Sequence, residues 1–351
     1  MSRCDNLLLG IDLGTSRTAV VADNNYQDLT SSVVGYPKDI VGLKMLGKPQ
    51  VFGAEALRHH SALALYRPME DGLIRETDFH NYNTVYELLK HVIRQAAPDG
   101  GAACGVIGVP SRAFLHNKKL LSSLVEDLLE VALIVPKAFL VAYKINRLTN
   151  SIIVDIGAGT VDICAMKGMV PPLEDQVTLT KAGDYIDARF EALVAERYPQ
   201  LQLSRGQLRL IKEEHAFVDQ YGGPVQTVLR ADGVPVEVDL SAELQSACES
   251  IVPDILEQLV TMVKDFDPEA QQEVLENIFI SGGGSLIRGI DDVVALHLVE
   301  YGDVHVRCID KNGLIGAQGG LKLAKELDPD VWGQVGFMHA EEKRAAPDGG
   351  D

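Results

Sequence analysis

Apolar positions along this chain follow two rhythms, one of period two and one of period three to four, and each change of rhythm marks a change of element. Residues 7–22 run Leu-Leu-Leu-Gly-Ile-Asp-Leu-Gly-Thr-Ser and resume as an apolar run from Thr18 to Ala22, which predicts strand, tight glycine turn, strand. Residues 31–75 are punctuated by Gly and Pro and read as an insert with a short helix near 55–65. Val85, Leu88, Leu89, Val92 and Ile93 repeat at helical spacing within 77–95. Residues 104–109 read as a buried strand, and 114–132 as one amphipathic helix with Leu120, Leu121, Leu124, Val125, Leu128 and Leu129 on one face. Strand, glycine turn and strand recur over 151–167. A second insert, about 185–250, carries a helix over 186–197; a long helix over 241–265 is expected to kink at Pro253, and a strand over 277–281 runs into Gly282, Gly283 and Gly284.

Two of these segments are copies of one pattern. Ile11-Asp12-Leu13-Gly14-Thr15 and Val154-Asp155-Ile156-Gly157-Ala158 each follow an apolar strand and lead into another. A chain whose halves open alike points to duplicated α/β domains facing each other across a cleft. The length of 351 residues suits two domains, here 1–150 with its insert and 151–338 with its own, followed by a tail over 339–351 expected to be disordered from its Glu, Lys, Ala, Pro and Gly.

Charge narrows the partners. With 32 basic against 50 acidic residues the net charge is −18, a poor field for nucleic acid or anionic lipid. Cys4, Cys104, Cys164, Cys248 and Cys308 are far apart and odd in number, which reads as buried or free thiols in a reducing cytoplasm. The apolar stretch 131–143 is broken by Pro136 and Lys137, so no membrane insertion is expected.

The glycine turns carry the candidate chemistry. A phosphate chain needs backbone N–H groups aimed at it with no bulk in the way, and glycine turns supply both. Gly14, Thr15 and Ser16 in the first turn, and Gly157, Ala158, Gly159 and Thr160 in the second, are the candidate phosphate binders. Asp12 and Asp155 are badly placed for an anion but well placed to hold Mg²⁺ through its water shell. The plain alternative is a pair of ordinary hairpin turns. A P-loop is absent, and Gly157-Ala158-Gly159 lacks the third glycine of a dinucleotide fingerprint. The histidines show no metal spacing with acidic neighbours.

These segments resemble the actin, heat-shock chaperone and sugar-kinase superfamily. Asp12-Leu13-Gly14-Thr15-Ser16 is similar to its first phosphate motif, and Asp155 through Asp162 (DIGAGTVD) to the second. Ser281-Gly282-Gly283-Gly284-Ser285 is similar to the adenosine motif, and Gly316-Ala317-Gln318-Gly319-Gly320 sits where the second interdomain hinge belongs. Within the superfamily the chain resembles bacterial actins. Arg67 through Ile74 (RPMEDGLI), Gly53-Ala54-Glu55-Ala56 and Gly183-Asp184-Tyr185-Ile186-Asp187 are similar to MreB-type segments, while residues 32–47 and 174–183 are most similar to the MamK-type actins that align magnetosomes. The resemblance implies an actin-like (ribonuclease H-like) fold, ATP/ADP and Mg²⁺ as ligands, self-assembly into filaments, and partners among other bacterial actins and magnetosome-associated proteins. It also implies Lys212 and Glu213 near the ribose and base, against the bland reading of a solvated helix face, and Gly282, Gly283 and Gly284 lining the adenine pocket.

One departure matters. The first hinge of bacterial actins reads like E-P-x-x-x-x-x-G, with the Glu positioning the attacking water; here Lys137 replaces the acid, Ala138 the Pro and Lys144 the Gly. A carboxylate can accept a proton from water and an ammonium cannot. Tight ATP binding with slowed hydrolysis is therefore expected, with Asp162 and Asp155 as the remaining catalytic candidates. The alternatives are a non-catalytic paralogue that tunes another actin filament and an MreB-type cell-shape actin.

Overall fold

The computed structural model describes residues 6–74, 79–98, 100–327 and 332. The chain divides into two units, Met1–Asn146 with Leu314–Asp351, and Arg147–Gly313.

The first unit is built on the opening hairpin. Strand β1 (Leu7–Leu13) pairs antiparallel with β2 (Arg17–Ala22), which pairs antiparallel with β3 (Gln27–Ser31). An insert follows, with β4 (Val34–Pro37), β5 (Val51–Phe52) and β6 (Leu63–Tyr66) forming a three-stranded sheet of order β5-β4-β6. The chain then returns as β7 (Ala103–Val109) and β8 (Val131–Pro136), both parallel, completing a five-stranded sheet of order β3-β2-β1-β7-β8. Strand alternation sorts the residues of β1 onto two faces. Leu9, Ile11 and Leu13 pack into a core with Val85, Leu88, Leu89 and Val92 of the helix Phe79–Ala96. Gly10 and Asp12 face the other way, under the helix Ile315–Glu326. That helix approaches so closely that a Cβ on Gly10 would lie 2.0 Å from the Ala317 carbonyl oxygen.

The second unit repeats the plan. Strands β9 (Thr149–Ile156), β10 (Val161–Lys167) and β11 (Gln176–Leu179) are antiparallel neighbours. An insert sheet of β12 (Leu201–Gln202), β13 (Gln226–Ala231) and β14 (Val234–Asp239) has the order β12-β13-β14. With β15 (Ile278–Ser281) and β16 (Val306–Cys308) added in parallel, the main sheet has the order β11-β10-β9-β15-β16, matching the first unit strand for strand. Its core gathers Ile152, Val154 and Ile156 with Phe190, Val194, Leu244, Ile255 and Leu259.

Several expected elements differ. The helix expected over 114–132 is two short helices, Ser111–His116 and Lys118–Val125, and the chain turns before entering β8. Asn117 makes the break: its amide accepts from the Ile74 N–H at 3.0 Å and donates to the Ile74 carbonyl at 3.2 Å. The helix expected over 241–265 is also two, Ser241–Glu249 and Val252–Lys264. Pro253 lies in the first turn of the second helix, where its missing N–H costs nothing, so it starts a helix instead of kinking one. The helix expected near 55–65 is Gly53–Arg58, and the chain then extends into β6. Residues 314–327, read from sequence as part of 151–338, pack within the first unit. Gly319 and Gly320 explain this, because a Cβ on Gly319 would be 2.0 Å from the Leu140 carbonyl oxygen and one on Gly320 3.0 Å from that of Val106. The tail 339–351 lies outside the described residues. Among the described residues no helix is long and apolar enough to cross a membrane, and no disulfide links Cys104, Cys164, Cys248 or Cys308; Cys4 lies outside the described residues.

Candidate nucleotide site

Each glycine turn is closed by the same bond. The Gly14 N–H donates to the Arg17 carbonyl at 3.2 Å, and the Gly157 N–H to the Thr160 carbonyl at 2.8 Å. A side chain would crowd both: a Cβ on Gly14 would meet the Arg17 oxygen at 2.7 Å and one on Gly157 the Thr160 oxygen at 3.0 Å. Hydroxyls buttress the first turn, with Ser32 Oγ donating to the Gly14 carbonyl at 2.8 Å and lying 2.8 Å from Thr18 Oγ1. The second turn is held by the start of the helix Gly183–Arg197. The N–H groups of Gly183 and Asp184 donate to the carbonyls of Gly157 (3.1 Å) and Ala158 (2.7 Å). Gly183 is glycine for that contact, since its Cβ would lie 3.1 Å from the Gly157 oxygen.

In the second unit the sheet register lines up a polar row. Ser281, Asp155, Asp162 and Thr178 are successive partners across β15, β9, β10 and β11, so their side chains share one face. Ser281 Oγ donates to Asp155 Oδ1 at 2.8 Å. Thr178 Oγ1 donates to Asp162 Oδ1 at 2.6 Å and Thr160 Oγ1 to Asp162 Oδ2 at 3.1 Å. Both carboxylates are thus buried but oriented by neutral donors. The glycines after β15 close over the same spot. Gly282 has φ 76°, and its Cβ would lie 2.5 Å from the Ile156 carbonyl oxygen and 2.8 Å from Asp155 Oδ1. A Cβ on Gly284 would strike Ile156 at 2.2 Å, whereas one on Gly283 would meet nothing within 4 Å. Ser285 Oγ ties the loop by donating to the Gly282 carbonyl at 2.7 Å. Residues 157–160, Asp155, Asp162 and 282–284 are therefore one assembly, and Ser281, Thr178 and Gly183 complete it; the sequence reading quoted Ser281 and Gly183 only within motifs and did not single out Thr178.

The equivalent row of the first unit is Gly108, Asp12, Ala19 and Leu29, in which Asp12 is the only polar residue. Asp12 finds its partner elsewhere. Lys137 opens the helix Lys137–Ile145 directly after β8, and its Nζ lies 3.1 Å from Asp12 Oδ2, with side-chain exposures of 15% and 6%. Gly316 makes room on the opposite side, where a Cβ would come within 2.7 Å of the same oxygen. The first unit thus brings together Asp12, residues 14–16 and Lys137.

Lys212 and Glu213 sit on the helix Arg205–His215. The Lys212 ammonium lies 2.6 Å from Asp187 Oδ1 and donates to the Gly183 carbonyl at 3.0 Å, so it braces the helix that holds the second turn. Burial pushes the Asp187 carboxyl up from its usual range, and the charge of Lys212 opposes that rise. Glu213 is exposed and accepts from Arg209 Nε at 3.2 Å.

As a test of fit for a divalent ion, the two repeat aspartates differ. Asp155 accepts from a hydroxyl, a partner compatible with a hydrated Mg²⁺ beside it. Asp12 does not fit as it stands, because an ammonium already neutralises it. No group of three or more His, Cys, Asp or Glu side chains forms a metal cluster among the described residues.

The model of the MreB/Mbl protein family matches residues 6–329. The chain is 45% identical over 336 residues to the actin-like protein MamK of Paramagnetospirillum magneticum, covering 95% of this chain and 96% of that protein. A solved MamK double helical filament superposes with a TM-score of 0.89 at 44% identity, covering 92% of this chain and 100% of that chain. A non-polymerising MamK mutant bound to AMPPNP superposes with a TM-score of 0.73 at 44% identity, covering 92% and 99%.

Proposed function

The chain belongs to the MreB/Mbl family of bacterial actin-like proteins, and from that premise we propose that it is an ATP-binding protein of the MamK type that assembles head to tail into filaments. The observation that carries this reading is the duplicated glycine turn, closed by one and the same backbone bond in both copies and set beside a buried aspartate each time. Ordinary hairpin turns need no such repetition. A relative solved as a filament and another solved with AMPPNP, both 44% identical, support assembly and nucleotide binding for this chain.

In this reading the backbone N–H groups of Gly14, Thr15 and Ser16 and of Gly157, Ala158, Gly159 and Thr160 hold the phosphates. Gly282, Gly283 and Gly284 form the adenosine wall, with Gly283 the position open enough to lie against a ligand. Lys212 and Glu213 border the ribose and base, Lys212 after giving up part of its contact with Asp187. Mg²⁺, when bound with nucleotide, supplies positive charge to the phosphates, and Asp155 is the carboxylate suited to its water shell. Asp162, fixed by two threonine hydroxyls, orients the attacking water together with Asp155. Lys137 stands where, by the resemblance, bacterial actins place an acid, and it cannot take a proton while charged, so turnover is slow. Head-to-tail contacts are heterologous and do not close, which gives a filament. The likeness to MamK, rather than membership of the MreB/Mbl family, is what supports alignment of magnetosomes as the chain's cellular role.

A second reading is favoured by Lys137 alone: a nucleotide-binding subunit that co-assembles with a faster actin and slows it. Steady-state phosphate release from the wild type, Lys137→Glu and Asp162→Ala separates the roles. Lys137→Glu is expected to raise the rate by about tenfold and Asp162→Ala to lower it by a similar factor, the range of a single general-base or orienting group. An unchanged rate in Lys137→Glu would show that position to be irrelevant to turnover.

A further inference from the structure

We propose that Lys137 takes the place of a divalent cation at Asp12, so that binding of nucleoside triphosphate by this chain is largely independent of Mg²⁺. The proposal rests on the nucleotide-binding reading above and concerns only how charge is balanced in its first half.

The sheet leaves Asp12 in need of a cation. Its row neighbours across the sheet are Gly108, Ala19 and Leu29, and the last two belong to an apolar cluster with Leu314 and Ala317. None of these can donate a hydrogen bond from its side chain, and the residue is 4% exposed, so water is largely excluded. A buried carboxylate keeps its charge only where an opposite charge or hydrogen-bond donors compensate it. Asp155, its counterpart in the repeat, is served by Ser281 and lies in a row with a second carboxylate and a threonine. The two halves therefore attend the same aspartate differently, an ammonium standing beside Asp12 and a serine hydroxyl beside Asp155.

The ammonium is built in. Lys137 is the first residue of its helix, and Pro136 before it is in register with Val109 at the end of the sheet. Ala138, Leu140, Val141 and Ala142 are buried behind it and fix the helix in place. Gly108 and Gly316 keep both flanks of the contact clear: a Cβ on Gly108 would lie 2.8 Å from Leu140 Cδ1 and 3.5 Å from Lys137 Cα, and one on Gly316 2.7 Å from Asp12 Oδ2. The result is a held pair at 3.1 Å.

The consequence is electrostatic. A triphosphate arriving beside a bare buried carboxylate is repelled by it, and a metal ion would have to offset both anions. With Lys137 in place the carboxylate is already neutralised, and the pair carries no net charge to repel a phosphate. A divalent ion can still accompany the nucleotide beside Asp155, but the charge balance at Asp12 no longer calls for one.

The test is the dissociation constant of a fluorescent ATP analogue for the full chain, measured in Mg²⁺ and in EDTA. For the wild type the constant is expected to rise by less than about threefold on chelation, and for Lys137→Gln by more than about tenfold, a difference readily resolved on an affinity scale. Lys137→Arg keeps the charge and is expected to follow the wild type. Loss of bulk stability in Lys137→Gln would lower binding in both conditions and leave the ratio unmoved, so the ratio separates charge balance from structure. A wild-type ratio above about tenfold, or equal ratios in wild type and Lys137→Gln, would overturn the proposal while leaving nucleotide binding intact. The wild-type ratio needs no variant to fold. Absence of binding in both conditions would instead defeat the nucleotide reading, and this proposal with it.

Discussion

Gly282 and Gly283 are adjacent, yet the fold asks opposite things of them. Gly282 has a left-handed backbone and no space for a Cβ beside Ile156 and Asp155; Gly283 has neither constraint. Gly282→Ala is expected to destabilise the protein by about 1–3 kcal/mol, the usual range for strain and overpacking. Gly283→Ala should stay within about 0.5 kcal/mol of the wild type, as surface substitutions do. Denaturant midpoints check both. If Gly283 lines the adenosine wall, Gly283→Val should weaken nucleotide binding while leaving the midpoint alone. The thiols give a second residue-scale prediction. Burial pushes Cys248 up to about 11 and Cys308 up to about 12, so neither carries a useful fraction of thiolate at neutral pH. In peptide-resolved alkylation at pH 8, about three units or more below these values, both should stay unlabelled in the folded protein and label readily once it is unfolded. The glycine turns and their aspartates were readable from residue type alone, because close backbone approach and anion binding both demand glycine. The Lys137–Asp12 pair was not. The two residues lie far apart in sequence, and only the parallel register of β1, β7 and β8 places one beside the other.

Among the elements, the helix Ile315–Glu326 shows why glycine spacing in a helix can matter more than helix propensity. Its Gly316, Gly319 and Gly320 allow contact with Asp12, Leu140 and Val106, distances at which any side chain collides. Gly319→Ala would raise intrinsic helix propensity by about 1 kcal/mol yet is expected to destabilise the fold by about 3 kcal/mol, at the upper end for overpacking, because the obstacle is the backbone of Leu140. A lowered denaturant midpoint or a shifted melting curve would register it; an unchanged or raised stability would show that the two helices do not meet this closely. The strands β1, β2, β7, β9, β10 and β15 were legible because a core strand is a short apolar run between turn signals, whereas β3, β8, β11 and β16 were not singled out. The errors share a cause. Residues 114–132 keep helical spacing up to Leu129 while Asn117 breaks the helix for a distant partner, Ile74. The β-branched run beginning at Val131 pairs with β7, which outweighs its local preference. The helix expected over 241–265 failed likewise, since Pro253 is compatible with a kink or a start and periodicity cannot tell them apart.

For the whole molecule, the duplicated plan visible in Ile11–Thr15 and its counterpart extends to two five-stranded sheets of matching strand order. What the repeat does not preserve is as informative: a hydroxyl and a second carboxylate attend Asp155, a lysine attends Asp12. Motif order together with the MreB-like segments Arg67–Ile74, Gly53–Ala56 and Gly183–Asp187 was enough to place the chain among bacterial actins, and family membership over residues 6–329 agrees with it. Division of the chain at Leu314 was not legible, because the segment that crosses back is sequence-distant from the strands it covers. The account as a whole rests on ATP-dependent assembly with slow turnover. Sedimentation of the purified full-length chain with ATP, ADP or a non-hydrolysable analogue, with phosphate release followed in the same samples, tests it most directly. The protein is expected to pellet with ATP and with the analogue, to remain in the supernatant with ADP, and to release phosphate well after the pellet has formed. A chain that stays in the supernatant with every nucleotide would contradict the account.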